Sequence, residues 1–157
     1  MNLRFMLVSA MFPLLCLFSC VPASTIPIET ISFERSEPAG HGTLVVFLPG
    51  RGSGVRSFGE KGLVRALHRK NPDIDMIGVE AHLGYYQDRT LPKRLREDVI
   101  APAQRLGYQK IWLVGISMGG LGAILYDTTY PGDVTGICLL SSYLGEGSVL
   151  KEIDSGR

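Results

Sequence analysis

Histidine is scarce in this 157-residue sequence: there are three, His41, His68 and His82, and none lies beyond residue 82. Cysteine is as rare, also three. Cys16 and Cys20 fall in or beside an N-terminal apolar segment and Cys138 stands alone in a later apolar stretch, so no disulfide framework is available. Cys138 is expected to be a small core hydrophobe. Charge of one sign is lacking too. The formal net charge is +1, and no basic run is interleaved with aromatics, so nothing points to nucleic acid. The clusters Arg65/Arg69/Lys70 and Lys93/Arg94/Arg96 fall beside apolar residues on predicted helices and read as solvated faces. There is no internal repeat and no low-complexity tract. No cofactor and no metal are expected.

Two phosphate-binding patterns are incomplete. A P-loop needs Lys followed by Ser or Thr after its glycines, but the stretch from Gly54 to Gly59 runs into Glu60-Lys61. A dinucleotide loop needs Gly-x-Gly-x-x-Gly. Gly50 and Gly52 fit, Val55 stands where the third glycine belongs, and Glu80 is placed to hold a ribose. That reading leaves Ser117 unexplained.

What is present suits one globular domain, with 45% hydrophobic and 20% charged residues. The N-terminus stands apart. Arg4 supplies a positive start, and residues 5–18 are apolar apart from Ser9 and Pro13. The segment is short for a membrane span and has the shape of a secretory signal, residues 1–19. Leu17-Phe18-Ser19-Cys20 resembles a bacterial lipoprotein box, with cleavage before Cys20 and lipid on its sulfur. Val21-Pro22-Ala23 is suited instead to an ordinary signal peptidase. Either way the chain is expected to be exported to a bacterial cell envelope, as a lipoprotein attached to the membrane or as a periplasmic protein. Residues 20–28 read as a Pro/Ser/Thr linker holding residues 29–157 off the membrane.

Along that domain, residues 28–33 alternate as a weak first strand and 43–48 form a continuous apolar strand. Residues 58–69 suit an amphipathic helix with Leu63, Val64 and Leu67 inward, and 74–79 the next strand. Residues 89–106 carry Leu91, Leu95, Val99 and Ala103 at fourfold spacing, with Pro102 expected to bend that helix. Strands over 111–116 and 135–140 flank a helix over 121–130. This alternation predicts an α/β fold, a mainly parallel sheet with helices on both faces.

The central stretch is Gly115-Ile116-Ser117-Met118-Gly119-Gly120, between a strand and a helix. A serine at such a turn is forced into a strained backbone that lifts its hydroxyl clear of the sheet. Gly115 and Gly119 are needed because a side chain at either would collide across the bend. Gly120 and Gly122 are expected to let the helix pack close against the strands. Acyl transfer from Ser117 creates an oxyanion needing two N–H donors. The Met118 amide supplies one, and a glycine-rich turn after an adjacent strand can supply the other.

Strand-Pro49-Gly50-Arg51-Gly52 and strand-Gly115-Ile116-Ser117-Met118-Gly119-Gly120 together resemble the α/β-hydrolase superfamily, most nearly its bacterial esterase- and lipase-like members. The resemblance spans residues 43–144. It implies a serine hydrolase of an ester or related acyl bond, with a small-molecule acyl substrate. It also implies the backbone N–H of Arg51 as the second oxyanion donor. In that superfamily the order along the chain is nucleophile, acid, histidine. All three histidines here precede Ser117, and none of Asp127, Asp133, Glu146, Glu152 and Asp154 follows a strand in the usual acid position. The expectation is therefore a C-terminally truncated hydrolase domain. His82, after the strand 74–79 and within Glu80-Ala81-His82-Leu83-Gly84-Tyr85-Tyr86, stands open as a substitute base, a pocket-lining residue or an ordinary loop residue. The alternative function is a non-catalytic, envelope-anchored remnant of the fold that lacks the base.

Overall fold

A computed structural model describes residues 21–33 and 42–145. The expected signal segment, Cys20, His41 and residues 146–157 lie outside the described residues. Five strands form one sheet: β1 (Thr30–Phe33), β2 (Gly42–Leu48), β3 (Asp75–Val79), β4 (Tyr108–Ile116) and β5 (Gly136–Leu140). Their spatial order is β1-β3-β2-β4-β5. Only β1 runs antiparallel, against β3, and the other pairings are parallel. The elbow strand β4 lies directly beside β2, with Leu48 opposite Gly115. The α/β class, mainly parallel and covered on both faces, is as the alternation of elements predicts.

Strand residues alternate between two apolar layers because successive side chains leave opposite faces of a sheet. Leu44, Val46, Leu48 and Leu113 join the larger layer, with Leu91, Leu95, Ile100, Ala123 and Tyr126. Val45, Phe47 and Met76 join the smaller one, with Phe58 and Val64. The helix expected over 58–69 is two pieces, α1 (Ser57–Glu60) and α2 (Leu63–Lys70). Between them Gly62 takes φ +78°, a left-handed conformation that a continuous helix cannot contain.

The helix expected over 89–106 runs as α4 (Leu91–Leu95), a π-helical turn (Arg96–Ile100) and α5 (Ala101–Arg105). The wide turn directly precedes Pro102. There the missing N–H and the ring's demand for space forbid a regular α-helical bond. Two further helices, α3 (Leu83–Gln87) and α6 (Met118–Thr129), border the carboxyl edge of the sheet. No helix among the described residues is long and apolar enough to cross a membrane.

Three expectations need correction. Arg94, expected on a solvated face, is buried and pairs with Asp98 at 3.2 Å. Cys138 is exposed rather than core. It lies opposite Val114 on β4, on the sheet face that also carries Trp112 and Leu140, and no described element covers that end of the face. Residues 21–28 are no free linker either. Ile28 is buried in the larger apolar layer, and its N–H donates to Asp98 Oδ2 at 2.9 Å. Upstream, the Ser24 hydroxyl donates to Asp88 Oδ2 at 2.6 Å and Thr25 N–H donates to the Tyr85 hydroxyl at 3.0 Å. The segment is a strap tied across α3.

Candidate active site

Strand β4 delivers Ser117 to the carboxyl edge of the sheet with φ +51° and ψ −115°. Such a backbone is costly for any residue with a Cβ, by about 1–3 kcal/mol. Close approaches on both sides hold it there. A Cβ on Gly115 would sit 2.3 Å from the Gly119 carbonyl oxygen, and one on Gly119 would sit 2.0 Å from that of Leu48. Only glycine fits at either place, as the sequence predicts. Ser117 N–H donates to the Leu140 carbonyl at 3.0 Å, and the Ser117 carbonyl accepts from Gly120 and from Tyr143 N–H, at 2.9 and 3.0 Å. The elbow is thus pinned to the end of β5 as well as to its own helix.

Gly120 and Gly122 serve otherwise than expected. A Cβ on Gly120 would lie 2.0 Å from Ser142 Oγ, and one on Gly122 would lie 2.6 Å from Tyr86 Oη and 2.9 Å from Leu91 Cδ2. They make room for side chains rather than for strands. In the gap above Gly122, the Tyr86 hydroxyl donates to the Met118 carbonyl at 2.9 Å. Burial holds the Tyr86 phenol well above its ordinary range, so it stays a neutral donor.

The loop after β2 meets the elbow from the other side. A Cβ on Gly50 would be 3.4 Å from both the Ile116 carbonyl oxygen and Ser117 Cβ. Ser53 N–H donates to the Gly50 carbonyl at 3.0 Å, closing a tight turn in which Gly52 takes φ +72°. Arg51 therefore stands beside Ser117 and Met118, and the three share a cavity of about 350 Å³ whose other walls are Leu83, Tyr86, Leu121 and Tyr143. Leu83, Tyr86, Leu121 and Tyr143 carried no site signal in the sequence, because none belongs to a motif and their assembly depends on three separate elements. A larger cavity, about 400 Å³ with Glu29, Glu60 and Glu80 in its wall, opens beyond Val55 and contains neither Ser117 nor Met118.

His82 caps α3. Its Nδ1 accepts from Gly84 N–H at 3.2 Å and its ring lies against that of Tyr85, centroids 4.5 Å apart. With Nδ1 an acceptor, the neutral ring carries its proton on Nε2, and the nitrogen left free is a donor. His82 lines a neighbouring cavity of about 300 Å³ with Arg51 and Met118, and is absent from the wall of the one holding Ser117. The Ser117 hydroxyl has no hydrogen-bond partner among the described residues. Of the acids after Ser117, Asp133 is occupied elsewhere: it accepts from the Tyr126 hydroxyl at 3.0 Å and pairs with Arg96 at 3.1 Å. Among the described residues no three His, Cys, Asp or Glu side chains converge on a metal position.

No protein-family profile matches the sequence, and no curated protein matches it. Solved structures do resemble its fold. An α/β-hydrolase enzyme from the metagenome of lagoon sediments at Mar Chica, Morocco, is 21% identical, with a TM-score of 0.52 over 80% of this chain and 53% of that one. A lipase-esterase related protein of Clostridium acetobutylicum is 16% identical, with a TM-score of 0.52 over 83% and 55%. A structure from work on carboxylesterases of the thaumarchaeon Nitrososphaera gargenis is 16% identical, with a TM-score of 0.52 over 86% and 50%. The chain spans about half the length of these structures. Likeness at this level of identity is a likeness of fold.

Proposed function

This chain has the α/β-hydrolase fold, and on that footing we propose that it carries the nucleophile half of a serine esterase site. Ser117 Oγ is the nucleophile, and the backbone N–H groups of Met118 and Arg51 receive the oxyanion. The observation that carries this reading is the strained backbone of Ser117 at the start of a 12-residue helix. A plain strand–helix connection has no use for that strain. An esterase does, because the strain projects the hydroxyl into the cavity while the next amide points at the developing charge. One well-placed oxyanion donor contributes about 3–4 kcal/mol to such a reaction, and the helix N-terminus adds to the same field.

In the reaction, Oγ attacks the carbonyl carbon, the bond to the alcohol oxygen breaks as that oxygen takes up the proton Oγ gives off, and the acyl group stays on Ser117 until water releases it as the acid and restores the hydroxyl. The cavity of about 350 Å³, walled by Leu83, Tyr86, Leu121 and Tyr143, suits an apolar acyl group of modest size. What the described residues lack is an acceptor for the Ser117 proton. A hydroxyl without a base is a weak nucleophile. That lack is also the observation favouring the second reading, a remnant that binds acyl ligands without turning them over.

A fluorophosphonate probe with intact-mass detection separates the two. The esterase reading expects slow labelling of the 157-residue chain, lost in Ser117→Ala. Added imidazole should speed labelling at least about tenfold, a fraction of the roughly 10²–10⁴ that a positioned general base contributes. Labelling that ignores imidazole, or that survives in Ser117→Ala, leaves the binding-only reading in possession.

A further inference from the structure

Two cavities meet at the oxyanion loop, and they differ in chemistry. Both have Arg51, Leu83 and Met118 in their walls. An ester also has two halves, joined at the carbonyl that would sit between them. Given the esterase reading above, on which this rests, we propose that the cavity of about 300 Å³ is the alcohol-side subsite, and that it takes a neutral alcohol bearing several hydroxyls.

The polar groups of this second cavity carry the assignment. Arg51, Ser53, Glu80 and His82 line it. Glu80 spends one carboxylate oxygen on Val55 N–H at 3.2 Å, which leaves the other as an acceptor. His82 has spent Nδ1 on its own helix and presents Nε2–H as a donor. Arg51 is a second donor, with no ion pair or hydrogen bond among the described residues. A hydroxyl both donates and accepts, so adjacent hydroxyls match a wall that alternates in this way. Opposite charges from Glu80 and Arg51 favour neither a cationic nor an anionic alcohol. The outer wall is the strap. Val21 and Pro22 close the cavity, and the chain just downstream is anchored through Thr25, whose side chain and N–H both meet the Tyr85 hydroxyl, at 2.8 and 3.0 Å. Processing then matters to the site. Cleavage before Cys20 leaves this wall in place, whereas cleavage after Ala23 removes it.

Equilibrium binding to the full chain carrying Ser117→Ala tests the subsite without any turnover. Ligand-detected NMR titrations would compare four butyrate esters: those of ethanol, glycerol, glucose and choline. The glycerol or the glucose ester, whichever marks the source of the hydroxyls, should bind about tenfold tighter than the ethyl ester, as one or two net hydrogen bonds give. The preference should fall below about threefold in two added variants, the double change Val21→Gly/Pro22→Gly and His82→Asn. The second keeps an acceptor at the helix cap and removes only the reach of Nε2. Affinity for the ethyl ester should fall less than that for the hydroxylated ester in both. Equal binding of all four esters, tightest binding of the choline ester, or variants that weaken every ester alike would each overturn the subsite. Failure of the fluorophosphonate labelling, by contrast, bears on Ser117 and leaves these binding outcomes readable.

Discussion

The Tyr86 hydroxyl donates to the carbonyl oxygen of Met118 at 2.9 Å, joining α3 to the first turn of the helix that begins at the candidate nucleophile. The bond exists because residue 122 is glycine, since a Cβ there would stand 2.6 Å from the same hydroxyl. Two helices distant in sequence thus agree on one small space, and the orientation of the elbow depends on it.

That bond makes stability at high pH informative. Burial raises the pKa of Tyr86, and burial together with the Asp133 hydrogen bond raises that of Tyr126, both far above the ordinary phenol value of 10.0. A raised folded pKa means the unfolded chain loses its protons first. The contribution is therefore whole below about pH 10 and declines as pH rises beyond it. Thermal unfolding followed from pH 8 to 11.5 should show Tm falling above about pH 10. The fall should be shallower in Tyr86→Phe and in Tyr126→Phe, and an unchanged slope in both would remove the linkage.

Strain at the elbow predicts an inverted ranking at one position. Ser117→Gly relieves φ +51°, while Ser117→Ala keeps it. The glycine variant should be more stable than the alanine variant by about 1 kcal/mol in urea unfolding, the reverse of their order in a helix. Alanine proving the more stable would mean the conformation carries no strain.

Glycine positions offer a matched pair. Gly119→Ala drives a methyl to 2.0 Å from the Leu48 carbonyl oxygen, whereas Gly54→Ala meets nothing within 4 Å. The first should cost more than about 2 kcal/mol and the second less than about 0.5 kcal/mol. Comparable losses at both positions would contradict the packing described around the elbow.

The outer end of the sheet predicts self-association. β5 is an edge strand among the described residues, and its own Cys138 and Leu140 are exposed together with Trp112 of β4. An apolar edge is a template for pairing with another chain. In reducing buffer Cys138→Lys should lower the aggregated fraction in light scattering and sedimentation. Association that is indifferent to the charge would place its cause elsewhere.

Export is a sequence-based proposal with a direct readout. Protein extracted from bacterial membranes should have an intact mass that begins at Cys20 and includes a lipid. A mature form starting at Ser24 without acyl mass would refute the lipoprotein reading, and by removing Val21 and Pro22 it would also open the second cavity.

Much of this was legible from residues alone, for a local reason. A strand, Gly-x-Ser-x-Gly and a helix occupy adjacent positions, so spacing suffices to read the elbow, and Gly115 and Gly119 are required as the bend predicts. Continuous apolar runs announce buried parallel strands, and the place of β4 beside β2 follows once the Arg51 loop is expected to reach Met118. Tertiary structure alone decided the rest. Thr25 meets Tyr85 across 60 residues and Tyr86 meets Met118 across 32, separations that no periodicity encodes. The strap, expected as a linker, is ordered because those contacts satisfy its polar groups and bury Ile28. Cys138 shares the apolar pattern of a core strand yet is exposed, because pattern specifies a face and only a neighbour can cover it. His82 stands at the edge where sequence put it. Which of its nitrogens is free was settled by Gly84, two residues on, through the fold of a five-residue helix that no capping signal announced.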